Sequence, residues 1–289
     1  MLHYSAWKYS LLTLFVGLVS CTNVNRPQDE STQTNGSQST QSKSSNVITR
    51  TFPAYADFTQ ITNIGSMHID ISKGPFEITA TGDSVLLSNL IYDIDGGCLT
   101  LSFPSEENVD INSYELSSNV RVHVSMPQVN ILTNCGSGTI NYKGTLTTDN
   151  LHIGGIGTGW IHVDSVECDD FKYESTRRTD AHFRHVRCNE AVVIAAGGAK
   201  TDITVDASRS AAFMLSGVGQ INIRSKAPFI DLVSSDDAKG DFHLDADSIS
   251  VSSNGTSTLT LEGHARISRI KTEKTSHINN KLRSNKEAY

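Results

Sequence analysis

Ile140-Asn141-Tyr142, Ile161-His162-Val163, Ala181-His182-Phe183, Ile203-Thr204-Val205, Ile221-Asn222-Ile223, Phe242-His243-Leu244 and Leu259-Thr260-Leu261 are one apolar, polar, apolar triplet written seven times, at spacings of 21, 20, 22, 18, 21 and 17 residues. About ten residues upstream of each lies a partner triplet, such as Leu151-His152-Ile153, Phe171-Lys172-Tyr173, Ala211-Ala212-Phe213, Ile230-Asp231-Leu232 or Ile249-Ser250-Val251. In an extended chain successive side chains point to opposite faces, so the outer members of a triplet share one face and the middle residue takes the other. A single pair of such strands cannot bury its apolar face, whereas stacked pairs can, and a short fixed period is the mark of a solenoid. The expected fold is all-β: a parallel β-solenoid, β-helix-like, of about seven coils of about 20 residues over residues 129–270. Ile140, Ile161, Phe183, Ile203, Ile221, Phe242 and Leu259 are placed in one inward column. Alternation breaks at Val192-Val193-Ile194, which leaves the phase open there.

Glycines fall between the triplets, at Gly136-Ser137-Gly138, Gly154 to Gly159, Gly197-Gly198 and Gly217-Val218-Gly219, where the chain must turn tightly. The string at 154–159 is a corner rather than a phosphate loop, because no helix pattern follows it and no Gly-Lys-Ser/Thr ends it.

Lys8 and the apolar run Leu11 to Leu18 have the size of a signal-peptide core, too short to span a bilayer. The run ends in Leu18-Val19-Ser20-Cys21, which resembles the lipobox of bacterial lipoproteins and makes residues 1–21 the signal and Cys21 the lipidated residue. Its acyl chains would be the link to the membrane. Residues 22–46 are almost wholly Ser, Thr, Gln, Asn and charged, a disordered tether. Asn23 in place of aspartate, by resemblance to enterobacterial sorting, implies the outer membrane, with the periplasmic or surface side left open. Asp29-Glu30 resembles the surface-export signals of Bacteroidetes lipoproteins, although its spacing is poor.

Residues 47–270 read as one domain, in which 47–128 supply N-terminal strands that cap the stack and 129–270 the regular coils. Residues 271–289 lose the apolar pattern and are expected to form a loose polar tail. The net charge of −7 and pI near 5.8 argue against a nucleic-acid partner, which needs a concentrated basic surface.

The run from Phe58 to Phe103, with Met67-His68-Ile69-Asp70-Ile71, Phe76-Glu77-Ile78-Thr79-Ala80-Thr81-Gly82 and Gly97-Cys98-Leu99-Thr100-Leu101, resembles the opening of the auto-transporter adhesin head GIN domain family. Val122-His123-Val124-Ser125-Met126-Pro127 and Cys135-Gly136-Ser137-Gly138-Thr139-Ile140 match its continuing strand and Ser-Gly-rich coils. The resemblance covers residues 47–265, although Thr179-Asp180-Ala181 and Asp236-Asp237-Ala238 lack the usual glycines. It implies an envelope lipoprotein of the Bacteroidetes type, with an adhesin-like role and no catalytic site to carry over.

Surface chemistry is sparse. The middle residues of the triplets form an outward column, Asn141, His162, His182, Thr204, Asn222, His243 and Thr260. His162 and His182 stand in line there, but a metal site wants carboxylate or thiolate company, so the column reads as a solvated polar ladder with no metal and no cofactor. Arg177, Arg178, Arg184 and Arg187 concentrate positive charge on an acidic chain and are the candidate binding residues, against the reading of a charged corner balanced by Glu167, Asp169, Asp170 and Glu174. Cys168 and Cys188 hold equivalent places on successive coils and are candidates for a disulfide, against two buried thiols. Asp83-Ser84-Val85, Asp164-Ser165-Val166 and Asp247-Ser248-Ile249 resemble Bacteroidetes O-glycosylation sites. Polysaccharide-cleaving β-helices need a groove of longer loops with converging acids, which coils of about 20 residues do not supply. The expected function is a non-enzymatic, membrane-anchored interaction module that binds a glycan or protein through its solenoid faces. A structural or stress-related envelope scaffold and a carbohydrate-active enzyme are the alternatives.

Overall fold

In a computed structural model of the chain, each coil is made of two arms separated by corners. The description covers residues 46–104, 118–273 and 275–284; the lipobox and nearly all of the tether lie outside it. Residues 44–289 form one compact unit that carries the whole apolar core, so it is the part expected to fold by itself. Leading arms such as Asn150–Gly155 and Asp170–Ser175 alternate with trailing arms such as Thr139–Thr147 and Trp160–Glu167. Farther along, one strand serves as the trailing arm of one coil and the leading arm of the next, as in Asp180–Gly197 and Lys200–Gly217. The arms pair in parallel with the equivalent arms of the neighbouring coils, which gives a parallel β-solenoid of about 8 turns.

The register runs Ile140, Ile161, Ala181, Thr201, Ile221, Gly240, Leu259 and Ile278, a repeat that shortens smoothly from 21 residues to 19. This corrects the single inward column. All seven expected residues are buried, but Phe183, Ile203 and Phe242 belong to a second column with Tyr142, Val163, Ile223 and Leu261. The triplet spacings 22 then 18, and 21 then 17, are two-residue slips, which keep the face but move one column over. Packing explains the second slip: Phe242 fills the volume that Gly240 leaves in the first column, and a Cβ on Gly240 would lie 2.3 Å from the Phe242 ring. At Val192-Val193-Ile194 the phase is set by Val193, fully buried between Tyr173 and Phe213.

The segment 47–128 is more than a cap. Gln60–Ile64 and His68–Lys73 lie parallel on Ile131–Asn134 and Thr139–Thr147, while Cys98–Ser102 and Arg121–Met126 make a further coil outside them. Antiparallel strands Val47–Phe52, Glu77–Asp83 and Ile91–Asp95 finish that end, with a short helix, Ser84–Asn89, whose first turn Asp83 caps by accepting the Val85 N–H at 2.9 Å. The other end also departs from expectation. His277–Arg283 is no loose tail but a strand paired with Thr258–Thr272, which carries the stack one turn beyond the apolar rhythm.

The glycine corners are close-packed: a Cβ on Gly157 would sit 1.9 Å from the Gly136 carbonyl oxygen, and one on Gly136 equally close to that of Gly65. Beside them runs a buried amide ladder in which Asn63 Nδ2 donates to Asn134 Oδ1 at 3.1 Å and Asn134 Nδ2 to the Gly138 carbonyl at 2.9 Å. Side chains fill the interior; a void lined by Ala195, Ala199, Leu215 and Ala238 holds about 10 Å³, room for one water. Among the described residues the interior thus leaves no room for a ligand larger than a water.

Candidate functional site

The trailing arms present one long outward face. Register, rather than triplet position, decides its composition: Asn141, His162, His182, Asp202, Asn222, Asp241 and Thr260 follow one another across neighbouring strands. Asp202 and Asp241 thus replace Thr204 and His243 of the expected column, the direct result of the two slips. A second outward column, nearer the glycine corners, contains Trp160, Asp180, Lys200, Gln220, Lys239 and Thr258. Together these columns line an open trough of about 690 Å³, with Trp160 52% exposed at one end.

At that end the His162 and His182 rings stack, with centroids 5.1 Å apart and planes within 7°. His162 Nε2 lies 3.2 Å from Asp164 Oδ1, and His182 Nδ1 lies 3.7 Å from Asp202 Oδ2. Asp164 accepts the Gly144 N–H at 3.1 Å and sits 3.3 Å from the Arg184 guanidinium. The Gly144 hydrogen bond, helped by His162 and Arg184, holds its carboxyl below the usual carboxylate range. Among the described residues no group of three His, Cys, Asp or Glu stands close enough to hold a metal ion. What the trough offers is an aromatic plate followed by amides, carboxylates, imidazoles and ammonium groups at the strand spacing of about 4.8 Å. That is a row of hydrogen-bond donors and acceptors on a rigid backbone, suited to an extended polar chain with one flat apolar face to lay on Trp160.

The four arginines do not form one ridge. Arg177 and Arg178 are exposed at a glycine corner, whereas Arg184 and Arg187 sit along the trailing arm, with Arg187 nine residues beyond Arg178 at about 3.3 Å per residue. Arg184 pairs with Asp164 at 3.3 Å and Arg187 with Glu167 at 2.9 Å. Arg187 belongs to an alternating ladder, Glu167, Arg187, Asp206, Lys226 and Asp245, in which each charge faces an opposite one on the next strand. Two of the four expected binding residues, Arg184 and Arg187, thus have acidic partners, as the charged-corner reading expects for Glu167, whereas Arg177 and Arg178 have none within ion-pair distance among the described residues.

Cys168 and Cys188 stand at the corner after the trailing arm as free thiols, and burial pushes both up to about 12. Of the three Asp-Ser-aliphatic motifs, Asp83 serves as a helix cap and Asp164 as the partner of His162.

The family described as "Putative auto-transporter adhesin, head GIN domain" matches residues 57–226. Among solved structures, a putative adhesin from Parabacteroides distasonis is 14% identical with a TM-score of 0.67, over 81% of this chain and 98% of that one. A putative adhesin from Parabacteroides merdae is 13% identical with a TM-score of 0.66, over 82% and 96%. A protein described as a putative lipid binding protein from Parabacteroides distasonis is 17% identical with a TM-score of 0.62, over 83% and 97%. At these identities the likeness is one of fold. No curated protein matches the chain.

Proposed function

Because the chain belongs to the auto-transporter adhesin head GIN domain family, we propose that it is a non-catalytic recognition module of the bacterial envelope that binds glycan chains along its trailing-arm face, held to the outer membrane by lipid on Cys21. The observation that carries this reading is the trough itself. Trp160 offers an indole face to the C–H side of a sugar ring, while His182, Asp202, Asn222, Asp241 and Lys200 offer polar atoms to its hydroxyls, coil after coil. No helix among the described residues is long and apolar enough to cross a membrane, so the anchor assigned to Cys21 is the chain's proposed attachment. The groups best placed for other chemistry are poorly suited to it: the Gly144 N–H holds the Asp164 carboxyl below its usual range, away from an acid's role, and burial pushes the Cys168 and Cys188 thiols far from the thiolate form.

One observation favours a hydrolase instead. Asp202 and Asp241 flank Asn222 on strands about 9.6 Å apart, a backbone separation just beyond the carboxylate spacing of up to about 9.5 Å in inverting glycosidases. A binding assay of residues 44–289 against envelope polysaccharides, with the products chromatographed, separates the two. Binding without cleavage is expected, with Trp160→Ala weakening it at least about tenfold, or about 1.4 kcal/mol. Undiminished binding by Trp160→Ala discards the trough, and released oligosaccharide discards the non-catalytic reading. For the anchor, Cys21→Ala is expected to move the chain out of the membrane fraction, and unchanged membrane association discards it.

A further inference from the structure

Among the described residues, both ends of the stack carry strand edges without a strand partner, and the edges Ile91–Asp95 and Ile267–Thr272 carry opposite charge. At the C-terminal end, His277–Arg283 pairs only with Thr258–Thr272, and the Ile267–Thr272 half of that strand has a partner on one side only, among the described residues. At the N-terminal end, among the described residues, Ile91–Asp95 pairs only with Cys98–Ser102 and Val47–Phe52 only with Glu77–Asp83. Each end thus offers two strand edges with backbone groups free to pair. The core also reaches each end incompletely covered, with Ile270, Ile278 and Leu282 partly buried at one and Tyr92 at the other.

Charge separates the ends. Along the C-terminal edge the outward residues are Ile267, Arg269 and Lys271, with Arg283 on the companion arm; none of these three cations has an acidic partner within ion-pair distance among the described residues, unlike Arg266 and Lys281. Along the N-terminal edge the exposed residues of Ile91–Asp95 are Ile91, Asp93 and Asp95, while on the companion strand Arg50 lies over the Phe52 ring at 5.0 Å. Both edges read aliphatic, charge, charge, with opposite sign. Of the edge amides at Ile91–Asp95, Ile94 N–H is already held by the Tyr55 hydroxyl at 2.6 Å, and that hydroxyl donates to Asp93 at 2.9 Å.

We propose that the solenoid associates end to end with further copies of itself, the basic C-terminal edge of one copy adding as a strand to the acidic N-terminal edge of the next. Strand addition supplies main-chain hydrogen bonds and closes the exposed core, while the charges set the polarity. Like ends repel, so a two-fold dimer is disfavoured and the contact is heterologous. Such a contact leaves a fresh end on every copy and builds an open row rather than a closed pair. Rows built this way would repeat the glycan trough along a continuous face.

Sedimentation velocity of residues 44–289 over a range of concentrations tests this. Association beyond a dimer is expected at about 50 mM salt, and its loss at about 500 mM, where the screening length falls to a few ångströms. Arg269→Glu/Lys271→Glu/Arg283→Glu and, separately, Asp93→Lys/Asp95→Lys are each expected to weaken self-association about tenfold or more, with far-UV circular dichroism and Trp160-dependent glycan binding unchanged. Mixing the two variants is expected to restore assembly, because each then presents the end that the other lacks. A chain that stays monomeric at low salt, a species that stops at a dimer, or variants that assemble like the wild type would each overturn the proposal. Loss of glycan binding with assembly intact would bear on the trough alone.

Discussion

The coils from Thr139 to Arg283 and the two nearest the N-terminus share one cross-section but differ in how the chain enters them. In the later coils each arm lies on the arm about one period away in sequence, so Ile161 follows Ile140 and Ala181 follows Ile161. In the early ones Ile69 is packed between Val122 and Ile140, and the Cys98–Ser102 strand reaches the stack only after an antiparallel excursion through Glu77–Asp83 and Ile91–Asp95. Both solutions bury the same columns. A periodic sequence therefore reports a solenoid only where neighbours in space are also neighbours in sequence; elsewhere the coils are real but the rhythm is silent.

If the two regions form one cooperative stack, Ile203→Ala and Ile69→Ala should each cost about 2–5 kcal/mol in urea unfolding, since both side chains are fully buried. A loss well below that at Ile69 alone would show that the early coils unfold separately. Next in size, Gly240→Ala should cost about 1–3 kcal/mol by pushing into the Phe242 ring, and Phe242→Leu on that background should recover part of it. Without that recovery, the two-column packing is wrong. At the seam between the regions, Asn134→Ala removes the amide that joins Asn63 to the Gly138 carbonyl, a loss of about 1–3 kcal/mol visible as a lower melting temperature.

Smaller effects come from the surface. The hydrogen bond with His152, aided by Lys172, holds Glu174 below its usual range. A depressed folded value means that its contribution is present above the unfolded value of about 4.3 and fades as pH falls through the folded one. Glu174→Gln should therefore lower stability at neutral pH and flatten the acid limb of the stability profile; an unchanged acid limb would show that the cluster does nothing. Last, His162→Ala should alter stability by no more than about 0.5 kcal/mol, because the ring lies on the solvated face. A loss like that of Ile203→Ala would overturn the assigned faces.

The architecture was legible because alternation and a short period are local properties of the chain. Inward and outward faces followed from the triplets, and all seven expected core residues are buried. Column assignment was not legible, since a slip of two residues preserves the face. Thr204 and His243 were therefore placed where Asp202 and Asp241 stand, and the carboxylates beside the histidines went unseen. The uneven spacings, 22 then 18 and 21 then 17, were the signal that could have revealed them. The arginine cluster was legible in part, since Glu167 stands in the sequence as its balancing charge, but its layout was not. Nearness in sequence suggested one patch, while an extended strand separates Arg178 from Arg187 and a neighbouring strand brings Asp164 and Glu167 to neutralise the distal pair.

By itself the sequence determined that this chain alternates and repeats, which side chains face inward and where glycine must turn the corners, because these depend on residues adjacent in the chain. Only the tertiary structure decided which side chains become neighbours across strands. At the second slip the register goes with how Phe242 fits beside Gly240, volumes that meet only after the coils stack. The trough that joins Trp160 to Asp241 is a consequence of that register.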